Sequence, residues 1–170
     1  MSHTPMKPMR SLGRGAAGAC RMSKTLFMET TGVTCDRSLA EITRKLVQAG
    51  ANQITTNHDN GRISGVTFSV RVGNDLIPFA LPVRTEPIFQ ILNKRRTYNR
   101  AAAAPKDREQ AERVAWRQLL RWVEAQFALI QTGMVQTHEV FMPYQQAPDG
   151  RTMFQHFEER RMLAAPTEAK

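Results

Sequence analysis

The stretch from Arg62 to Val83 constrains the fold more than any other part of the chain. Val66, Phe68, Val70 and Val72 alternate with Thr67, Ser69 and Arg71. After Gly73 and Asn74 the alternation resumes, with Ile77, Phe79, Leu81 and Val83 on one face. A period of two puts the apolar set on one side of a sheet and the polar set on the other, so both runs read as half-buried strands. Asp59, Asn60 and Gly61 supply the turn chemistry that pairs the first of them (residues 62–72) with an earlier strand at residues 52–57, in which Ile54 is the main apolar residue. Pro78 and Pro82 cannot donate ladder hydrogen bonds, which puts the last strand, residues 75–83, at a sheet edge at least in part.

Helices flank this sheet. Ser38 and Glu41 form an S-x-x-E capping box, followed by Leu39, Ile42, Leu46 and Ala49 at helical spacing and a stop at Gly50. A short strand is expected before it, at Thr30 to Thr34. A second helix opens at Thr85 with Pro87 in its first turn, buries Ile88, Ile91 and Leu92, and runs out into Lys94, Arg95 and Arg96. A long third helix is expected from Asp107 to Thr132. Trp116, Leu119, Leu120, Val123, Phe127 and Ile130 form its main apolar stripe. Ala115, Trp122 and Leu129 form a second stripe, turned away from the first. That is more apolar surface than one sheet face requires, so the helix is either buried on two sides or meets a partner. Two short helices follow, at Thr137 to Met142 and at Thr152 to Met162, the latter with Met153, Phe154 and Phe157 inward.

The fold class expected is therefore α+β: a three-stranded antiparallel sheet packed against helices, with a long central helix and short C-terminal helices. The expected divisions are a basic tail at 1–28, a small α+β domain at 29–96, a linker at 97–105 that holds Ala101 to Ala104, a helical region at 106–163, and a tail at 164–170. The tail at 1–28 mixes Gly, Ala, Pro, Ser and Met without periodicity, as disordered segments do. Met6, Met9, Met22 and Met28 all fall in it, so an internal start is one reading and an Arg-rich presequence another.

The formal net charge of +9 is unevenly spread. Residues 1–28 carry Lys7, Arg10, Arg14, Arg21 and Lys24 and no acid. Residues 94–108 carry Lys94, Arg95, Arg96, Arg100, Lys106 and Arg108 against Asp107 alone. The remaining segments are balanced to within one charge. Clustered surplus of this kind points to a polyanionic partner. On the third helix Arg113, Arg117 and Arg121 recur every four residues, within one arc of ~80°. Like charges at this spacing destabilise a helix by ~0.2–0.5 kcal/mol per pair, so something should compensate. Glu109 and Glu124 can do part of this and phosphates the rest, since guanidinium groups match phosphate in a bidentate way. The competing reading is a solvated helix face laced with salt bridges.

No pattern for catalysis or metal binding survives. There is no H-E-x-x-H, G-x-S-x-G, P-loop or EF-hand. Gly13, Gly15 and Gly18 spell G-x-G-x-x-G, but no strand precedes them, so the dinucleotide reading fails. His3, His58, His138 and His156 are far apart, and Cys20 and Cys35 suit neither a disulfide framework nor a zinc site. No catalytic residue, metal or cofactor is expected. No apolar run approaches the ~18 residues needed to span a bilayer, which gives a cytoplasmic expectation with no membrane partner.

Two resemblances add to this. The segment AERVAWRQLLRWVEAQFALIQTGMVQTHEVFMPY, Ala111 to Tyr144, and the sheet segment GVTFSVRVGNDLIPFALPV resemble a family of phage and prophage proteins without an assigned activity. That implies a mobile-element setting and nothing about mechanism. The order helix–strand–strand–strand–helix over residues 38–96 also resembles a double-stranded RNA-binding domain, which reads duplex shape through its first helix, the loop after its first strand and lysines opening its last helix. Here the loop would be His58 to Arg62, and the last helix opens Thr85, Glu86, Pro87 without those lysines. The comparison therefore implies topology.

The functional expectation is a nucleic-acid-binding accessory protein, DNA or RNA undetermined, which contacts phosphates through Lys94, Arg95, Arg96, Arg100, Lys106, Arg113, Arg117 and Arg121. The alternative is a protein-interaction module, an inhibitor or assembly factor, that docks on a host protein or a second copy through Ala115, Trp122 and Leu129.

Overall fold

The computed structural model describes residues 25–98 and 108–164, with the backbone alone for residues 95–98 and 162–164. β1 (Gln53–Asp59), β2 (Arg62–Val72) and β3 (Asp75–Pro82) form an antiparallel sheet in the order β1-β2-β3. Asn60 and Gly61 both have positive φ, 50° and 78°. This is what a two-residue turn of the primed type demands, and Asn-Gly adopts it readily. The register sets Ile54 opposite Phe68, Val66 opposite Leu81 and Phe68 opposite Phe79, so the inner face is continuous across all three strands. Thr55, Asn57, Thr67 and Arg71 alternate with these residues on the outer face, where the Asn57 amide donates to the Thr67 hydroxyl at 2.9 Å. At Gly65 a Cβ would lie 2.6 Å from the Leu81 carbonyl oxygen, so only glycine lets β2 and β3 approach there. β3 is an edge strand, as its prolines require. The Gln146 N–H donates to the Pro78 carbonyl at 2.9 Å, so the chain after residue 144 covers that edge.

α1 (Cys35–Gln48) starts three residues before the expected capping box. Thr34 is the cap, its hydroxyl accepting from the Arg37 N–H at 3.3 Å, and Asp36 lies in the first turn. Ser38 is fully buried inside the helix and its hydroxyl donates to the Thr34 carbonyl at 3.2 Å. Both Thr34 and Ser38 can cap; Thr34 does so, and Ser38 is buried in the helix it opens. The strand expected at Thr30 to Thr34 is absent. Residues 26–31 make turns and are tied to the long helix, with the Gln110 side chain donating to the Glu29 and Thr31 carbonyls and Gln118 to that of Phe27. Packed chain therefore reaches back to Leu26, and the tail boundary expected at 28 falls inside it.

α2 (Thr85–Tyr98) extends past Arg96, so the expected linker starts inside the helix. α3 (Arg108–Gln131) lays Trp116, Leu120, Val123 and Phe127 against the sheet together with Ile42 and Leu46. Its other flank packs Ala111, Val114 and Ala115 against Ile88 and Leu92 of α2. α4 (Thr137–Phe141) ends on Phe141, which is fully buried and serves as the hub of the aromatic core. Its ring centroid lies 5.4 Å from Phe68, 5.9 Å from Phe79, 5.5 Å from Trp122 and 5.7 Å from Phe127. A 3-10 turn, Met142–Tyr144, leads past the β3 edge to α5 (Met153–Ala164). There the inward orientation expected of Met153, Phe154 and Phe157 is overturned: they are 43%, 42% and 60% exposed. The inner sheet face is already filled by α1, α3 and Phe141, so α5 has no apolar surface left to cover.

Candidate nucleic-acid interface

Burial of the sheet-facing stripe fixes how α3 is rotated, and the rotation decides what its arginines meet. Arg117 points at α1 and its guanidinium donates to Glu41 Oε2 at 2.7 Å, with the side chain only 13% exposed. Glu41 also accepts from Arg37, at 3.3 Å. The Arg117 hydrogen bond, followed by its charge and by Arg37, holds the Glu41 carboxyl below its ordinary value. Arg113 is hydrogen-bonded to Glu109 and to the Gln110 side chain, and Arg121 reaches Glu124 at 2.7 Å. The partners expected within α3, Glu109 and Glu124, are therefore the ones used. Glu41, 76 residues away, is the one that spacing could not supply. The stripe is a set of internal ties, so the phosphate role expected of Arg113, Arg117 and Arg121 has no free guanidinium behind it at Arg117.

Other arginines of the folded part are matched in the same way. Arg62 pairs with Glu112, and Arg108 donates to Glu86 at 3.0 Å while lying 4.6 Å over the Phe89 ring. Arg62 is the base in the loop that the double-stranded RNA-binding resemblance singles out, and its charge is committed to α3. Arg151 joins Asp149 and Glu159, both at 2.7 Å. The Asp149 carboxyl, held by that guanidinium, by the Arg151 backbone and by His156, falls to about 2.

Lys94 is exposed near the end of α2 and makes no ion pair among the described residues. Arg95 and Arg96 follow it on the same helix. Arg100 and Lys106 lie outside the described residues. The apolar docking face of the alternative reading is largely taken: Ala115 is closed off by α2, and Trp122 packs edge-on against Phe141 and, at 5.3 Å, Tyr144. Leu129 is half-buried.

Burial pushes the Cys35 thiol up and Glu112 adds to this, so the unreactive protonated form prevails at neutral pH. Among the described residues no three of His, Cys, Asp or Glu converge as a metal ion would need. No helix among them is long and apolar enough to cross a membrane. No protein-family model, curated protein or solved structure matches the chain.

Proposed function

We propose that the protein binds nucleic acid without catalysing a reaction on it, and that the basic segment from Lys94 to Lys106 makes the main phosphate contacts. One observation carries this reading: six glutamates of the folded part are already paired with arginines. Glu41, Glu86, Glu109, Glu112, Glu124 and Glu159 each hold an arginine. They are not free to neutralise the surplus in residues 94–106, which contain no acid, or that in residues 1–28, which have none. An uncompensated cationic segment draws a polyanion by releasing the polyanion's counterions. The resemblance to phage and prophage proteins adds a mobile-element setting, and a cytoplasmic location goes with it. The test is fluorescence anisotropy with labelled single-stranded DNA, duplex DNA and duplex RNA over a range of salt. Lys94, Arg95, Arg96, Arg100 and Lys106 changed together to Gln should flatten the log-affinity against log-salt slope by ~0.7–0.9 for each lost contact. Absence of binding to all three probes at low salt removes the proposal.

Protein docking has its own supporting observation. Met142, Met153, Phe154 and Phe157 are exposed within one short stretch of chain, and large apolar side chains gathered at a surface are characteristic of interfaces. These side chains stand beside Ala115, Trp122 and Leu129 as candidates for docking on a host protein or a second copy.

A further inference from the structure

We propose that a cleft around Arg84 is a binding site for one nucleotide of a single-stranded nucleic acid, with the phosphate on the Arg84 guanidinium and the base against Tyr144 and Phe154. The inference rests on the nucleic-acid reading above and names the strand state that it left open.

The cleft forms where the chain passes the β3 edge. Asn57 and Ala80 on the outer sheet face and Pro82 and Arg84 at the end of β3 make one wall; Tyr144 and Phe154 belong to the other. Its volume is about 410 Å³, within the ~300–1,000 Å³ of small-molecule sites. Arg84 also lines a second recess, bounded by Gln118, Leu119 and Trp122. Neither lining contains a carboxylate. Arg84 is exposed and forms no ion pair or hydrogen bond among the described residues, unlike the arginines of α3. A lone cation in an acid-free cleft selects an anion.

The rest of the lining selects what carries the anion. Tyr144 and Phe154 offer aromatic faces on which any base can stack, beside the apolar rings of Pro82 and Pro143. Ser64 and the hydrogen-bonding capacity left over at Asn57, which is tied to Thr67, and at Thr152 and Gln155, which are tied to each other, can meet a base edge. A base inside a duplex cannot present its face to such a wall, so the ligand is single-stranded. α2 begins one residue after Arg84 and carries Lys94 ten residues on, a rise of ~15 Å. One extended strand therefore reaches both the cleft and the basic segment.

The test uses the full chain, a labelled oligothymidylate and a duplex of the same length. The wild type should prefer the single strand. Phe154→Ala should weaken single-strand binding about tenfold and leave duplex binding unchanged, the size expected for one lost stacking platform. Arg84→Gln should lower the single-strand salt slope by ~0.7. The same strand carrying iodouracil should photocrosslink to Tyr144 or Phe154. Both variants should melt as the wild type does, because Arg84 has no partner among the described residues and Phe154 is exposed; Tyr144 is left intact because its ring supports Trp122. Equal affinity for both probes, with both variants neutral, overturns the cleft while the nucleic-acid proposal stands. Crosslinks confined to the basic segment do the same. An acidic, leucine-rich peptide that binds the wild type and is lost with Arg84→Gln, while the crosslinks miss the cleft, assigns the cleft to a protein partner and overturns the inference. No binding of either oligonucleotide at low salt removes both proposals.

Discussion

Arg117 and Arg84, and likewise Phe141 and Phe154, are the same residue types in two different situations. On the inner face of the sheet the chain completes itself: Arg117 has Glu41 at 2.7 Å and Phe141 has four aromatic neighbours within 6 Å. At the corner between β3 and α2 it does not. Arg84 has no partner among the described residues, and Phe154, 42% exposed, lines an open cleft. The first region accounts for why the molecule folds. The second has residues that folding leaves unsatisfied, and such residues are the ones available to a ligand. Residue type and periodicity cannot make this distinction; it depends on where the carboxylates and rings of distant elements arrive.

The largest expected effect tests the aromatic half of the comparison. Phe141→Ala should cost ~3–5 kcal/mol in urea unfolding, since it empties the centre of a five-ring cluster. Phe157→Ala, at a side chain 60% exposed, should change stability by under ~0.5 kcal/mol. Similar losses at the two sites would mean that α5 packs as tightly as the core and that the comparison fails.

Next comes the ion pair. Glu41→Gln leaves the Arg117 guanidinium, 13% exposed, without its carboxylate, and should cost ~1–3 kcal/mol. The pH dependence follows from the direction of the shift. Glu41 is held below its ordinary 4.5, chiefly by Arg117, so its contribution is fully present above that value and is lost as pH falls through the folded one. The stability gap between wild type and Glu41→Gln should therefore be constant near neutrality and close as the pH falls below 4.5. A gap that persists to low pH would assign the loss to packing instead of charge. Asp149, lowered to about 2, should keep its contacts with Arg151 and His156 until the pH falls to about that value.

Much of this fold was legible because its signals are local. Alternation and two turns give the meander, Pro78 and Pro82 give the edge, and the main stripe of α3 gives the helix that covers the sheet. What failed was competition between equivalent local signals or dependence on distant chain. Thr34 and Ser38 both cap well, and the structure uses Thr34 while burying Ser38. Met153, Phe154 and Phe157 look inward by composition, but the face they would fill is occupied. Of the site, the acid-poor basic segment could be read directly from the sequence. Arg84 could not, because nothing in Val83-Arg84-Thr85 signals that it pairs with no acid among the described residues.

The smallest effect is the most discriminating. Arg121 is matched to Glu124 within its own helix and its side chain is 44% exposed, so Arg121→Gln should cost no more than ~0.5 kcal/mol. Gln preserves the helix and relieves the repulsion with Arg117 one turn earlier. Its effect on binding is what matters. If folding has already used the α3 arginines, Arg121→Gln leaves the affinity and salt slope for single-stranded DNA unchanged, whereas Lys94→Gln lowers the slope by ~0.7. Exposure alone does not predict this difference, since both side chains are accessible; only the presence of Glu124 does. A slope lowered equally by both changes would show that Arg121 leaves Glu124 for phosphate when nucleic acid arrives. The stripe on α3 would then belong to the interface after all, and the division between satisfied and unsatisfied cations would hold at Arg117 alone.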